Sequence, residues 1–458
     1  MLYENLIDSI FKLDLSQQQR VYIGYSGGLD SHVLLHCCAS IIQIKSRLSA
    51  VHIHHGLQAE AESWVGHCEG KAQELGIDFI VLRVNAQAVP GESPEEAARN
   101  ARYAAFKSLM NVGDALLLGQ HREDQLETVL LQLFRGSGLR GLSGMPERIS
   151  FGAGFILRPF LNTPKQAISV YAERHQLSWV EDPSNLSNDY DRNFLRNEVL
   201  PLLKQRWQAV DKTVARSAKH CADAQVLVDE VADELFASVF NHEDNTLCIS
   251  RLKGHYPHPQ HLILRHWFQF LSLKMPSQVC LENILSQIVM ASEQRDPVLS
   301  GRGYSLRRYR DKMYCLKGRT ETVPQLTGAH DIIWPKDQTS LQIWDDQVLH
   351  VVPASKGICV QQWFAAKVEV RYRRGGEKIC LPGRAGHHGL KKLFQEAGIP
   401  PWIREKMPLI YLDDTLAAVG DLWVSTLFYS EISQDCISLL LQSFQLNPKD
   451  NDDKCIVD

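Results

Sequence analysis

Val21-Tyr22-Ile23-Gly24-Tyr25-Ser26-Gly27-Gly28-Leu29-Asp30-Ser31 decides the fold of the first half of this chain. The apolar, β-favouring run at its start predicts a buried strand. Residues 30–42 follow as a helix, with Val33, Leu34, Cys37 and Ile41 on one face. Between them, Gly27 and Gly28 permit a tight turn and close approach by a ligand. Free backbone N–H groups and the positive end of the helix dipole favour an anion such as pyrophosphate there. Ser26 and Ser31 can add hydroxyl donors. Asp30 would repel a bare anion, and makes sense if Mg²⁺ or an ammonium group lies between them. No G-x-x-x-x-G-K-[ST] occurs, so this is not a Walker loop. A glycine turn with a serine helix cap is the plain alternative.

Outward from this unit the pattern repeats. Strand-like runs at 48–53, 79–84 and 115–118 alternate with helical stretches at 61–75, 95–110 and 124–134. This predicts an α/β domain over 1–208 with a parallel sheet covered on both faces. Ligands of such sheets sit beyond the carboxyl ends of the strands. After Pro201 the pattern changes. We expect a mainly helical middle domain over 215–320, with a hairpin near 303–316, then a linker with short strands over 321–354. A small α+β domain should occupy 355–435, and the polar tail 447–458 is expected to be disordered.

The length of 458 residues suits two or three domains, and 44% hydrophobic with 22% charged residues is a globular composition. No apolar run of about 18 residues is present, and Met1 to Lys12 carries Glu4 and Asp8 without a basic start. We therefore expect a cytoplasmic protein with no membrane partner. The cysteines form no C-x-x-C pair, which leaves zinc and iron–sulfur sites unsupported and buried thiols as the expectation. Net charge is −4, yet between Arg371 and Lys406 nine basic residues face only Glu377, Glu396 and Glu405. Such a patch can bind phosphates or be a solvated face.

Five further segments bear on the chemistry. His52-Ile53-His54-His55-Gly56-Leu57 ends the second strand. Arg99 and Arg102 share a helix face beside Tyr103, where they could hold phosphate or pair with Glu95 and Glu96. In Gly119-Gln120-His121-Arg122-Glu123-Asp124-Gln125-Leu126-Glu127-Thr128, Asp124 and Glu127 project together from a helix start with His121 at its entry. Two carboxylates can hold Mg²⁺ or receive an ammonium, and a histidine there could act as acid or base. A capped helix start with an acidic first turn is the alternative. Lastly, Trp179-Val180-Glu181-Asp182-Pro183-Ser184-Asn185 precedes Arg192-Asn193-Phe194-Leu195-Arg196, which sets two arginines four apart. Gly136-Ser137-Gly138-Leu139-Arg140-Gly141 spells a dinucleotide fingerprint, but it follows a helix, so backbone near RNA is the better expectation, with Arg135 and Arg140 beside it.

Ser26-Gly27-Gly28-Leu29-Asp30-Ser31 resembles the S-G-G-x-D-S signature of the PP-loop ATP pyrophosphatases. The other segments resemble one branch of that family, the tRNA(Ile)-lysidine synthetases: H-V-N-H-G-L-R, A-R-x-x-R-Y, H-H-x-D-D-Q-x-E-T, R-G-S-G-x-R-G-L-x-G-M, and W-x-E-D-P-S-N followed by R-N-x-x-R. Here His54 stands for Asn, Gln58 for Arg, Gln120 for His and Glu123 for Asp. Arg373-Arg374-Gly375-Gly376-Glu377, Gly383 to His387 and Leu390 to Glu396 resemble the carboxy-terminal domain of the longer members.

The resemblance implies an adenine nucleotide α-hydrolase-like fold and an enzyme that ligates L-lysine to the wobble cytidine of isoleucine tRNA with a CAU anticodon. ATP would be consumed with Mg²⁺. Ser26, Gly27, Gly28, Leu29, Asp30, Ser31 and His52 would bind ATP, and Asp30, His121, Asp124 and Glu127 would carry catalysis, with Asp30 and Asp124 as metal ligands. Arg99 and Arg102 would meet phosphate or substrate. Arg135, Arg192, Arg196, Arg373, Arg374, Arg384, Lys391 and Lys392 would meet tRNA. A homodimer is admitted by the sequence without being specified by it. The alternatives are a tRNA thiolase, which would want cysteine pairs, a small-molecule synthetase, which would not need the basic last domain, and a non-catalytic tRNA-binding protein.

Overall fold

The computed structural model describes residues 19–56, 61–85, 87, 94–292, 295–317, 331–344, 347–431 and 436–443. The tail 447–458 and Gln58 lie outside them. The chain divides into two compact units, the first running to Val231 and the second from Ala232 on.

In the first unit, β1 (Val21–Gly24), α1 (Leu29–Ala39), β2 (Leu48–His54), α2 (Ala61–Leu75), β3 (Asp78–Arg83), α3 (Pro94–Leu109), β4 (Ala115–Leu117), α4 (Arg122–Phe134), β5 (Arg148–Phe151), β6 (Gly154–Leu157) and α5 (Lys165–Arg174) follow in order. The sheet order is β3-β2-β1-β4-β6-β5, parallel except for β5. The central strands β1, β2 and β4 are buried on both sides because helices cover both faces. Val21, Ile23 and Ala50 pack with Val33, Leu34 and Phe160 on one face. Tyr22, Val51 and Leu116 pack with Tyr103 and Phe106 on the other.

The strand order places the site. The chain steps from β1 to β2 and β3 on one side, then returns to lay β4 on the other side of β1. The loops after β1 and β4 therefore diverge from one crevice, the switch point where open α/β sheets bind ligands. They are also in contact. A Cβ on Gly119 would stand 3.0 Å from the carbonyl carbon and oxygen of Asp30, so only glycine lets the two loops meet.

Residues 191–206 are helical throughout but widen into a π turn at Leu195–Val199. Pro201 explains this. It has no N–H to give Asn197, and its ring would crowd that carbonyl, so the helix opens ahead of it. A long helix, α6 (Val210–Val239), follows, and the division between the two units falls inside it.

The second unit holds more strand than its sequence pattern suggests. The hairpin predicted near 303–316 is the centre of a five-stranded antiparallel sheet, which adds Phe240–Asn241, Thr246–Cys248 and Val298–Gly301 to Tyr304–Tyr309 and Lys312–Lys317. It packs on Pro257–Phe270 through Ile263, Leu264, Trp267 and Phe268. The flanking strands are only two to four residues long, too short to show a period-two pattern.

The linker expected over 321–354 needs correction. Ser340–Trp344 and Gln347–Ala354 pair with each other, and the latter runs along Cys436–Ser443. They are part of the last domain's sheet, so that domain begins before residue 355. Leu349 is fully buried while its neighbours on the strand are half-exposed, and this weak alternation is why the sequence reads as linker. The domain core joins these strands to Trp334, Trp363, Val370 and Ile410.

Candidate active site

Three segments converge on the crevice between β1 and β4. The first is the glycine loop. Gly27 has φ +86°, and Gly28 is the residue before α1. Ser31 Oγ donates to the Gly28 carbonyl at 3.0 Å and lies 3.1 Å from Ser26 Oγ, so the two hydroxyls hold the loop's shape. Val180 N donates to the Gly27 carbonyl at 2.9 Å, which ties the W-x-E-D-P-S-N segment to this loop. A Cβ on Gly27 would stand 2.8 Å from the buried Cys68 Sγ. Gly27→Ala should therefore destabilise the fold by about 1–3 kcal/mol. It should also lose the upward shift of melting temperature that ATP is expected to give the parent protein; an unaltered ATP response would separate this loop from nucleotide binding.

The second segment opens α4. His121 precedes the helix and caps it: Nδ1 accepts from Glu123 N–H at 3.2 Å, while Asp124 Oδ2 accepts from His121 N–H at 2.9 Å. An Nδ1 that accepts leaves the ring proton on Nε2. That nitrogen lies 3.4 Å from Asp124 Oδ2 and 3.8 Å from Asp30 Oδ2. Burial alone would lower the imidazole's pKa, but Glu123, Asp124 and Asp30 around it raise it above the ordinary value. Glu123 accepts from Lys165 N at 2.9 Å and pairs with Lys204 at 3.4 Å. Burial opposes its ionisation, yet His121 and these partners bring its carboxyl down to about 2.

The third segment supplies two arginines. Arg196 grips Glu127 with Nε to Oε1 at 2.7 Å and Nη2 to Oε2 at 2.8 Å, and reaches Asp124 Oδ1 at 3.1 Å. Arg192 lies 3.1 Å from Glu127 Oε2 and donates to Thr128 Oγ1 at 2.8 Å. Glu127 itself is 1% exposed. Asn193 donates to the carbonyls of Ser184 and Ser187, and Asn197 to the carbonyl of Asn185 and to Asn188 Oδ1. The Pro turn and the arginine helix are thus one folded piece.

Asp30 differs from the other carboxylates. Its Oδ1 is buried and has no hydrogen-bond partner. Burial raises its pKa, and Asp124 adds to this against His121, Lys165 and Arg196. An unpartnered carboxylate oxygen beside a phosphate-cradling loop suits Mg²⁺, a hard cation bound by one or two carboxylates plus phosphate oxygens. Asp124 has both oxygens engaged already, by Arg196 and by the His121 N–H. Asp30 is the better ligand of the pair.

The remaining sequence expectations fall as follows. His52 is buried, with Nδ1 2.9 Å from the Tyr25 carbonyl, where it ties β2 to the end of β1. Arg99 and Arg102 lie 5.0 and 5.7 Å from the Tyr103 ring centroid. Arg135 is the exposed C-cap of α4. Gln125 pins the loop that follows by exchanging two hydrogen bonds with the Met145 backbone, at 2.7 and 3.0 Å. In the second unit Arg373 is largely covered, lying over Phe394 at 5.2 Å and 3.7 Å from Glu377. Arg374, Arg384, Lys391 and Lys392 are exposed. Sequence reasoning passed over Arg158, Lys165 and Lys204, whose partners Gln120 and Glu123 are distant in the chain, and gave no role to Asn193 and Asn197, whose partners lie 6 to 12 residues away. Arg158, directly after β6 at a strand's carboxyl end, carried the one positional signal.

The sequence is matched over most of its length by known proteins. Residues 2–203 match the PP-loop domain family, 247–314 the TilS substrate binding domain and 368–441 the TilS substrate C-terminal domain. A tRNA(Ile)-lysidine synthase from Methylococcus capsulatus is 39% identical over 422 residues, covering 91% of this chain and 95% of its own. One from Serratia proteamaculans is 38% identical over 426 residues, covering 92% and 95%. Among solved structures, the U34-tRNA thiolase NcsA from Methanococcus maripaludis aligns with 48% of this chain and 77% of its own at 14% identity and a TM-score of 0.40. Two relatives that run nearly the full length of this chain, together with three family matches in the order of its domains, leave one assignment: the chain belongs to the tRNA(Ile)-lysidine synthase family.

Proposed function

We propose that this enzyme uses ATP to join L-lysine to the wobble cytidine of an isoleucine tRNA with a CAU anticodon. The oxygen on carbon 2 of cytosine attacks the α-phosphorus, an O–P bond forms, and the bond to pyrophosphate breaks. The lysine ε-amine then bonds to carbon 2 and AMP leaves with the oxygen. Ser26 to Ser31 cradle the departing pyrophosphate. Asp30 would hold Mg²⁺, which would supply charge neutralisation for that departure. Asp30 receives the ammonium and takes its proton before attack, with the proton-bearing Nε2 of His121 3.8 Å from its Oδ2. Glu127 does not meet the substrate in this scheme; it fixes Arg192 and Arg196 beside Asp124. The cytosine must leave its stack, which an anticodon loop permits at small cost.

The observation that carries this reading is the partnerless Asp30 Oδ1, buried where the glycine loop meets His121 and Asp124. Incubation with ATP, labelled lysine and the isoleucine tRNA should label the RNA. ATP cleavage with another acceptor and no lysine in the RNA would overturn it.

The exposed basic residues of the last domain fit an RNA phosphate surface. Changing Lys391 and Lys392 to Glu together should weaken tRNA binding. The slope of log K against log salt should fall by about 2, one for each phosphate no longer neutralised. Filter binding across a salt series measures this, and an unaltered slope would remove both residues from the interface.

A further inference from the structure

Arg158 is the least explained charge in the first unit. It is 5% exposed, at the carboxyl end of β6. Its Nε donates to Gln120 Oε1 at 2.6 Å and its Nη1 to the Pro146 carbonyl at 2.7 Å. It also hydrogen-bonds the Tyr103 hydroxyl. One guanidinium thereby joins the segment before His121, the end of the glycine-rich loop and the helix carrying Arg99 and Arg102. Among the described residues, none of these partners is a carboxylate. A buried cation without a counter-charge is costly, and pure hydrogen-bond glue does not require one.

The surroundings add charge of the same sign. Arg99 and Arg102 lie over the Tyr103 ring at 5.0 and 5.7 Å. Burial would raise the Tyr103 phenol, but these three arginines outweigh it and hold it below its ordinary value. His55 is kept neutral in the same way, at about 4, first by burial and then by Arg102. Positive potential is concentrated here, next to the residues that handle phosphate.

We propose that Arg158, together with Arg99, forms an anion subsite beside Gln120, and that a phosphate group bound there supplies the missing counter-charge. Arg158 is also the positioning residue that holds Gln120, and so His121, against the glycine-rich loop. The inference rests on the proposed use of ATP and tRNA only for the source of that phosphate, either the pyrophosphate end of the nucleotide or a phosphodiester of the RNA.

Gln120→Glu tests it without removing the arginine. The new carboxylate meets Arg158 where the amide oxygen does now, so folding is retained or strengthened while the positive charge is cancelled. Gln120→His, the residue that the family pattern carries there, keeps the pocket cationic and serves as the control. Inorganic pyrophosphate binding is measured by calorimetry on the full chain, without tRNA or lysine, and tRNA binding by filter assay without ATP. We expect Gln120→Glu to melt no lower than the parent and to lose about tenfold in affinity for one of the two probes. Arg158→Met should lose the same affinity, and Gln120→His should keep it. Loss confined to pyrophosphate identifies the nucleotide as the source, and loss confined to tRNA identifies the RNA. A folded Gln120→Glu protein that binds both probes like the parent overturns the subsite. A failure to form lysidine would leave these binding results unaffected, so the two readings fail separately.

Discussion

Asp30→Ala is expected to abolish lysidine formation, with a rate loss of about a thousandfold or more, while tRNA affinity stays within about twofold. Asp30 Oδ1 is buried without a partner, so no other side chain depends on it for a hydrogen bond. Removing it takes away the proposed metal ligand and a carboxylate oxygen 3.8 Å from His121 Nε2, and should leave the fold intact. The variant should melt at or above the parent's temperature, because a carboxyl whose pKa is raised by burial costs the folded state when ionised. Single-turnover kinetics and filter binding check the two halves. Full activity would remove Asp30 from the mechanism, and a loss of tRNA affinity equal to the loss of rate would make it a binding residue.

Glu127→Gln should act in a different way. Glu127 is 1% exposed and is the shared partner of Arg192 and Arg196, whose side chains are 26% and 32% exposed. The amide keeps the shape but not the charge, so both guanidinia lose the carboxylate they share. We expect a stability loss of about 3 kcal/mol. That corresponds to a fall in melting temperature of roughly 6–12 °C for a unit the size of the first one, which runs to Val231. Arg196 would then lean on Asp124 alone, its other partner at 3.1 Å, and the site geometry would loosen. Activity should fall with stability, and a high concentration of lysine should restore little of it. A variant of unchanged melting temperature would show that the pair contributes nothing net. One that melts lower but reacts normally would show that its geometry does not reach the site.

How much of this was legible in the sequence follows from range of interaction. The strand, glycine turn and helix around Ser26 are local, and each is dictated by residues within a few positions, so they were readable. So was the pairing of Asp124 with the start of α4, which depends on positions three apart. The crevice itself was implied by alternation of strands and helices but not by any residue. It took the order β3-β2-β1-β4 to bring Asp30 and His121 together. Arg196 reads from the sequence as a surface cation for RNA. It lies 69 residues from Glu127, and only the folded chain shows that this carboxylate engages it. His52 lies at a strand end suited to nucleotide contact, yet its ring nitrogen meets the Tyr25 carbonyl, a partner no spacing suggests. The same holds for Gln120 and Glu123. They depart from the family pattern, and in this chain each has a specific partner, Arg158 for the first and Lys165 with Lys204 for the second.

The central claim is a reaction in two halves, with the cytosine activated before lysine enters. Omission of lysine separates them. With ATP labelled on the α-phosphate and isoleucine tRNA in excess over enzyme, release of pyrophosphate without lysine should stop near one per enzyme, and label should sit on the RNA. Addition of lysine should then discharge AMP and leave one lysine on each tRNA. Pyrophosphate release that requires lysine, or AMP that appears free before lysine is added, would contradict the account.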